Sequence, residues 1–318
     1  MRESKLKTPV LYLVFNRLDL VERSFSRIKE ARPKFLFVAA DGPRLNEIED
    51  ERKCFEVREY IKQNIDWECK VNYLFRNKNL GCGMAVSQAI SWFFQNVKEG
   101  IILEDDCLPE DSFFPFCEEL LQRYRDSKSI FHIGGSNWQK GKKRGYADYY
   151  FSQIPGVWGW ATWNDRWADY EFDIFRNKEN WKKMHKILPE ITSSKEEVDF
   201  QIKCFNSCEN NQIDTWDYQW RFLIFLKRGL CIVPNKNLIS NLGHREDGAH
   251  TRDSSHWRAN LETEQLKFPI KHPKKIVANR KADKFLADHL FLNKAADEKI
   301  VYKFVTRIKK KIVNSLRK

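Results

Sequence analysis

The chain has no run of about 18 consecutive apolar residues, the length a helix needs to cross a bilayer. Its start, Met1-Arg2-Glu3-Ser4-Lys5, leads into a short apolar run without a cleavable-signal pattern. The eight cysteines include no CxxC pair, and several sit in apolar runs where reduced thiols behave as small hydrophobes. These absences argue against a membrane-spanning protein and a secreted disulfide scaffold, so a reduced, cytoplasmic protein is expected. Basic residues interleaved with aromatics are missing before residue 267, and no nucleic acid partner is expected. Residues 267–318 carry 16 Lys/Arg against 4 Asp/Glu, a net of +12 that equals the formal charge of the whole chain. The basicity therefore belongs to a tail.

What is present suits one substantial core with an extension: 318 residues, 42% of them apolar and 14% aromatic. Val10-Leu11-Tyr12-Leu13-Val14-Phe15 reads as a buried strand, followed by a helix with apolar positions at Leu20, Val21, Phe25 and Ile28. Further strands fit Phe35–Ala40, Lys70–Phe75, Gly100–Leu103 and Ile130–Ile133, with a helix over Met84–Val97. Strands alternating with helices predict an α/β fold with a mostly parallel central sheet flanked by helices. Helices are predicted over 177–187, 195–210 and 217–228, with a returning strand at Cys231-Ile232-Val233. The composition turns Lys-rich near 267, with Pro269 and Pro273 as breakers, so residues 1–266 read as the domain and 267–318 as a basic helical extension.

In a parallel sheet, ligands bind at the carboxyl ends of strands. That places Asn16-Arg17, Asp41-Gly42 and Glu104-Asp105-Asp106 on one rim. Three crowded carboxylates repel one another unless they share a cation, and oxygen-rich sites suit Mg²⁺ or Mn²⁺ bridging a diphosphate. A solvated acidic turn capping the helix near Asp111 is the structural alternative.

Ile101-Ile102-Leu103-Glu104-Asp105-Asp106-Cys107-Leu108-Pro109, with Phe113-Phe114, resembles the strand, acidic triplet and aromatic helix of GT-A glycosyltransferases, a nucleotide-diphospho-sugar transferase fold. The nearest resemblance is to the N-acetylglucosaminyltransferase I family, whose triplet is also Glu-Asp-Asp. It implies that Asp106 ligates the metal while Glu104 and Asp105 contact sugar or ribose. Val14-Phe15-Asn16-Arg17 resembles that family's first strand with its nucleotide-contacting arginine, and Asp41 resembles the acid that recognises uracil. Taken singly, Arg17 also reads as a surface charge at a helix end and Asp41 as an ordinary turn residue.

Asn79-Leu80-Gly81-Cys82-Gly83 resembles the Asn-x-Gly helix entry of sugar-nucleotide transferases, where glycine permits close backbone approach and helix amides can face a diphosphate. Trp216-Asp217-Tyr218-Gln219-Trp220 resembles that family's Trp-Asp-Asp-Trp segment, which implies that Asp217 is the catalytic base. The match fails at Tyr218 and Gln219. Asp217 also reads as a helix N-terminal acid, and Asp214 competes for the role. Arg228–Pro234, Asn241-Leu242-Gly243 and Gly248-Ala249-His250 resemble the strand and donor-closing loop, from which His250 or His244 could reach metal or diphosphate. Trp158 and Trp160, in Pro155-Gly156-Val157-Trp158-Gly159-Trp160, suit sugar stacking and core packing alike.

In the tail, Ile300, Val301, Phe304, Val305, Ile308, Ile312 and Leu316 recur at helical spacing opposite Lys303, Arg307, Lys310 and Lys311. Such a helix suits an anionic membrane surface at the inner face of the cell membrane, or docking on the body. Together these features predict a metal-dependent inverting transferase. It would move a sugar, N-acetylglucosamine first among the options, from a UDP-sugar to a glycan hydroxyl, free or lipid-linked, in polysaccharide biosynthesis. The other classes are a sugar-nucleotide nucleotidyltransferase and a non-catalytic sugar-binding, membrane-associated protein. Residues 8–24 contain no glycine, against the Gly-rich triphosphate loop of the former. The latter would need neither the three carboxylates nor a base.

Overall fold

The computed structural model describes residues 3–246, 248 and 253–292. In chain order, β1 (Val10–Val14), α1 (Leu18–Ala31), β2 (Phe35–Ala40), α2 (Asp50–Asn64), β3 (Lys70–Phe75) and α3 (Gly81–Asn96) alternate. Next come β4 (Glu99–Glu104), β5 (Cys107–Pro109), α4 (Phe113–Tyr124), β6 (Ile130–Gly134), β7 (Tyr149–Ser152) and β8 (Trp160–Trp163). Then follow α5 (Asn164–Trp167), α6 (Lys178–Ile191), α7 (Lys195–Glu209), α8 (Asp217–Leu226), β9 (Leu230–Pro234), β10 (Ile239–Asn241) and α9 (Arg280–Ala287).

Eight strands form one sheet in the order β3-β2-β1-β4-β8-β6-β9-β7. The β3-β2-β1-β4 block is parallel, and β6 pairs parallel with β9. β8 and β7 run antiparallel to their neighbours. The expected architecture, a mostly parallel α/β sheet flanked by helices, is the one observed. β5 and β10 make a separate two-stranded ribbon beside it.

Side chains alternate across a strand, so each buried strand feeds two cores. Val10, Tyr12, Val14, Leu36 and Val38 pack on one face with Val21 and Phe25 of α1 and Phe116 of α4. Leu11, Leu13, Phe37 and Ile102 pack on the other with Ile90 and Phe93 of α3 and Trp220 and Phe222 of α8. Both faces are covered, which is why these strands read as continuous apolar runs. The starts of α6, α7 and α9 are capped by the side chains of Asn177, Ser194 and Asn279, which accept backbone amides in the first turn. From residue 267 to 287 the chain stays on the body: Ile270 is buried in the first core, Ala278 bridges Phe151, and α9 buries Ala282 and Leu286.

Among the described residues no helix is long and apolar enough to cross a membrane. The amphipathic segment 300–316 and His250 lie outside the described residues.

Candidate active site

Because β1, β2 and β4 are parallel and adjacent, their carboxyl ends deliver Asn16-Arg17, Asp41 and Glu104-Asp105-Asp106 to one edge. Antiparallel β8 begins at that same edge, where Trp160 pairs with Ile102, so Trp158 just before it also lies there. α8 descends from the edge before the chain re-enters the sheet as β9, which puts Asp217 at the upper end. The ribbon brings Asn241 opposite Cys107 and carries the following residues across the triplet.

Arg17 sits between two acids of the triplet. Its Nη2 donates to Asp105 Oδ1 and, at 3.1 Å, to Asp106 Oδ2, while Nε reaches Asp105 Oδ2 at 3.4 Å. Burial opposes the Arg17 charge, but Asp105 and then Asp106 outweigh it and raise its pKa. Asp105 is 3% exposed; burial pushes its carboxyl up, against the pull of Arg17. Glu104 is pushed up to about 8, first by burial, then by Asp106 and Asp105, with Arg17 opposing and Asp217 adding. Two like charges about 4 Å apart repel by roughly 4 kcal/mol at a protein surface. One arginine does not neutralise three acids, and Glu104 answers by holding its proton near neutral pH.

Asn16 Nδ2 donates at 2.6 Å to Asp50 Oδ1, and Arg44 Nε at 2.6 Å to Asp50 Oδ2. The buried Asp50 thus fixes Asn16, and nothing in its acidic sequence neighbourhood, Glu49-Asp50-Glu51, marks it out. Asp41 accepts the amides of Gly42, Leu80 and Gly81 at 2.9 to 3.2 Å. Asp214 Oδ1 accepts the amide of Gly83 at 3.0 Å. The start of α3, expected to offer free amides to a diphosphate, is therefore already capped by two carboxylates. Gly81 has φ +79, and a Cβ there would stand 2.5 Å from Asp214 Oδ2, which explains the glycine.

Asp217 opens α8, and its Oδ1 accepts a short hydrogen bond from Thr215 Oγ1. Its charge acts on Glu104. Cys82, between them, has its thiol pushed up by burial and then by Glu104, Asp214, Asp217 and Asp106. No pattern in the sequence singles out Cys82, yet its thiol senses four acids brought to this edge from separate elements.

On the other side, Leu242 N donates to Asp106 O at 2.8 Å, and a Cβ on Gly243 would lie 2.3 Å from Asp106 Oδ2. His244 follows, 2% exposed, with Nδ1 3.2 Å from Asp253 O and a buried Nε2 that meets no partner. Burial lowers its pKa, and Asp106 is among the charges that oppose this. Trp158 stands edge-on to His244, ring centroids 5.5 Å apart. Trp160 is different: it is 1% exposed and stacks on His132 at 5.0 Å and on Trp216 at 5.5 Å. Both of its ring faces are covered by protein.

Asp106 and His244 together offer oxygen and imidazole donors, a set that suits Mn²⁺. Among the described residues no group of three or more His, Cys, Asp or Glu stands in metal-holding arrangement. Cations such as Mg²⁺ take one or two protein ligands and complete their shell with substrate phosphates and water.

No protein-family model and no curated protein sequence matches the chain. Solved structures similar to it include the mannosyltransferase PcManGT from Pyrobaculum calidifontis in complex with GDP-Man and Mn²⁺, 9% identical over 71% of each chain with a TM-score of 0.38. UDP-glucose pyrophosphorylase complexed with UDP-glucose is 11% identical over 72% of this chain and 90% of that one, TM-score 0.35. The glycosyltransferase GlyE of Streptococcus pneumoniae TIGR4 is 11% identical over 67% and 52%, TM-score 0.30.

Proposed function

We propose that this chain is a metal-dependent inverting glycosyltransferase that uses a nucleoside diphosphate-sugar, with UDP-N-acetylglucosamine the first donor to test and a glycan hydroxyl, free or lipid-linked, as acceptor. The observation that carries the reading is the meeting of Asp217, from α8, with the triplet at the end of β4, close enough for its charge to raise the pKa of Glu104. A separate acid facing a crowded triplet supplies the two functions an inverting transfer needs, a metal anchor and a base.

Asp106 would hold Mn²⁺ or Mg²⁺, with His244 Nε2 as a second protein ligand. The bound cation would neutralise charge on the leaving diphosphate. Arg17 keeps Asp105 and Asp106 in place, and the Glu104 carboxyl stands beside them to hydrogen-bond a sugar hydroxyl. Arg17 and Asp41 are the nucleotide contacts, with Asn16 and Gly81 shaping the same edge. Trp158 offers a face to a sugar ring, whereas Trp160 supports the site from the core. Asp217, oriented by Thr215, takes the proton of the acceptor hydroxyl as its oxygen bonds to the anomeric carbon and the bond to the diphosphate breaks.

The deciding experiment is a screen of nucleotide-sugars for binding and turnover with Mn²⁺ or Mg²⁺, wild type beside Asp106→Ala. Metal-dependent turnover lost in the variant is expected. If no nucleotide-sugar binds with any divalent ion, the reading falls.

A further inference from the structure

β6 supplies none of the groups assigned to the site, yet it carries an imidazole that bonds to two segments which do. His132, fully buried in that strand, uses both ring nitrogens. Trp220 Nε1 donates to its Nδ1 at 3.3 Å, and its Nε2 lies 3.0 Å from the carbonyl oxygen of Gly156. An indole N–H can only donate and a carbonyl can only accept, so these partners set the tautomer: Nδ1 bare, Nε2 protonated and donating. Burial lowers the His132 pKa to about 4, which keeps the ring neutral at neutral pH. Gly134 leaves room for the bond to Gly156, since a Cβ there would stand 3.3 Å from that oxygen and 3.4 Å from Nε2.

The two bonds join segments that are far apart in the chain. Gly156 lies two residues before Trp158, which stands against His244. Trp220 lies one turn beyond Asp217 on α8. The His132 ring also stacks on Trp160 at 5.0 Å, and Trp160 stacks in turn on Trp216, the neighbour of Asp217, at 5.5 Å. Among the described residues no hydrogen bond runs directly between 156–160 and 216–220, and His132 bonds to both. Packing against Trp160 alone would be served by phenylalanine, without the cost of burying a polar ring.

We propose that His132 is a positioning residue: its neutral imidazole fixes the segment of Trp158 against the helix of Asp217, so that sugar platform and base keep one separation. The role rests on the transferase reading above. Nucleotide and metal binding draw on Arg17, Asp41 and Asp106, none of which bonds to His132. Loosening the bridge therefore acts on the step in which Asp217 takes a proton. A misplacement of about 1 Å costs on the order of 10²-fold in rate, and a loss confined to the reacting geometry lowers kcat while leaving KM in place.

The test uses the full chain with UDP-N-acetylglucosamine and Mn²⁺, or the nucleotide-sugar that turns over in its place, and reads release of the nucleoside diphosphate. His132→Phe keeps the ring and its stacking but removes both nitrogens; kcat should fall by about 10- to 100-fold with KM changed by less than about threefold. His132→Gln, whose amide restores a donor and an acceptor, should recover part of kcat. If the melting curve of His132→Phe shows misfolding, Trp220→Phe removes one bond alone and should lower kcat in the same way. Wild-type kcat in the variant that folds overturns the proposal, as does a loss seen in KM instead of kcat, or a Gln variant no faster than Phe. A wild type that turns over no nucleotide-sugar sinks the transferase reading and this role with it, whereas equal turnover by wild type and variant sinks this role alone. Heteronuclear NMR of the histidine-labelled chain reads the bridge without substrate, and the Nε2–H tautomer of His132 is expected. An imidazolium or an Nδ1–H ring at neutral pH would overturn the bridge in an active and an inactive protein alike.

Discussion

Asp217 and Asp214 stand three residues apart at the same edge, and their partners separate their roles. Asp214 accepts the Gly83 amide and so belongs to the start of α3. Among the described residues Asp217 accepts the Thr215 hydroxyl through Oδ1, and its own amide lies in the first turn of α8, so Oδ2 is the oxygen proposed to act on the acceptor. Asp217→Asn keeps the size and the acceptor for Thr215 but removes the basicity. Transfer should fall by about 10²- to 10⁴-fold with the donor KM little changed. Asp214→Asn should instead act on stability and lower kcat by less than about tenfold. Steady-state kinetics on both variants decide the matter, and full transfer by Asp217→Asn removes it as the base. Residue types at strand ends were legible in the sequence, because polar clusters after apolar runs are visible without coordinates. Their partners were not: nothing in Asn16 announces Asp50, and the capping of α3 by Asp41 and Asp214 joins residues far apart in the chain.

Among the elements, β1 to β4 and α3 follow the expected apolar spacing to within a few residues. β8 escaped because all four of its residues are buried, so Trp160-Ala161-Thr162-Trp163 shows no alternation and reads as an aromatic cluster. The β5–β10 ribbon escaped because each strand has three residues, too short for any period. That ribbon nevertheless shapes the side of the site proposed to hold the metal, by pressing Gly243 onto Asp106. Gly243 is not in the left-handed region, so alanine suits its backbone, but the added Cβ would meet Asp106 Oδ2 at 2.3 Å. Gly243→Ala should therefore turn the carboxylate and weaken Mn²⁺ binding by about 10- to 100-fold, with the melting temperature of the metal-free protein falling by only a few degrees. Calorimetric titration with Mn²⁺ checks this. Unchanged affinity would mean that Asp106 does not hold the ion.

For the molecule as a whole, the tail's net charge was readable from composition, whereas the charges that govern the folded body are few and buried. Among the described carboxyls that burial raises, three stand out: Asp283, pushed up to about 6 by burial against Ser152 and Gln153; Glu197, up to about 7 by burial, with Asp283 adding; and Glu104, up to about 8. Each folded value exceeds the ordinary 3.8 or 4.5, so the stability tied to these protons is complete below about pH 4 and is lost as pH rises through the folded values. His132 works in the opposite sense. Burial lowers it to about 4, so its contribution is present above 6.5 and is lost as pH falls through 4. Between pH 6.5 and 8 His132, His244 and His272, each lowered from 6.5, oppose the acids only in the lower part of the window, and the acids prevail, Glu104 most of all, at on the order of 1 kcal/mol per pH unit. Calorimetric scans at constant ionic strength should show the melting temperature dropping by roughly 5 °C across that interval. Glu104→Gln should flatten most of the drop, because an amide has no proton to lose. Mn²⁺ should raise the melting temperature more at pH 8 than at pH 6.5, since the cation takes the place of the proton among the acids. A Glu104→Gln protein that melts with the wild-type pH dependence would show that the triplet does not hold its proton into the neutral range.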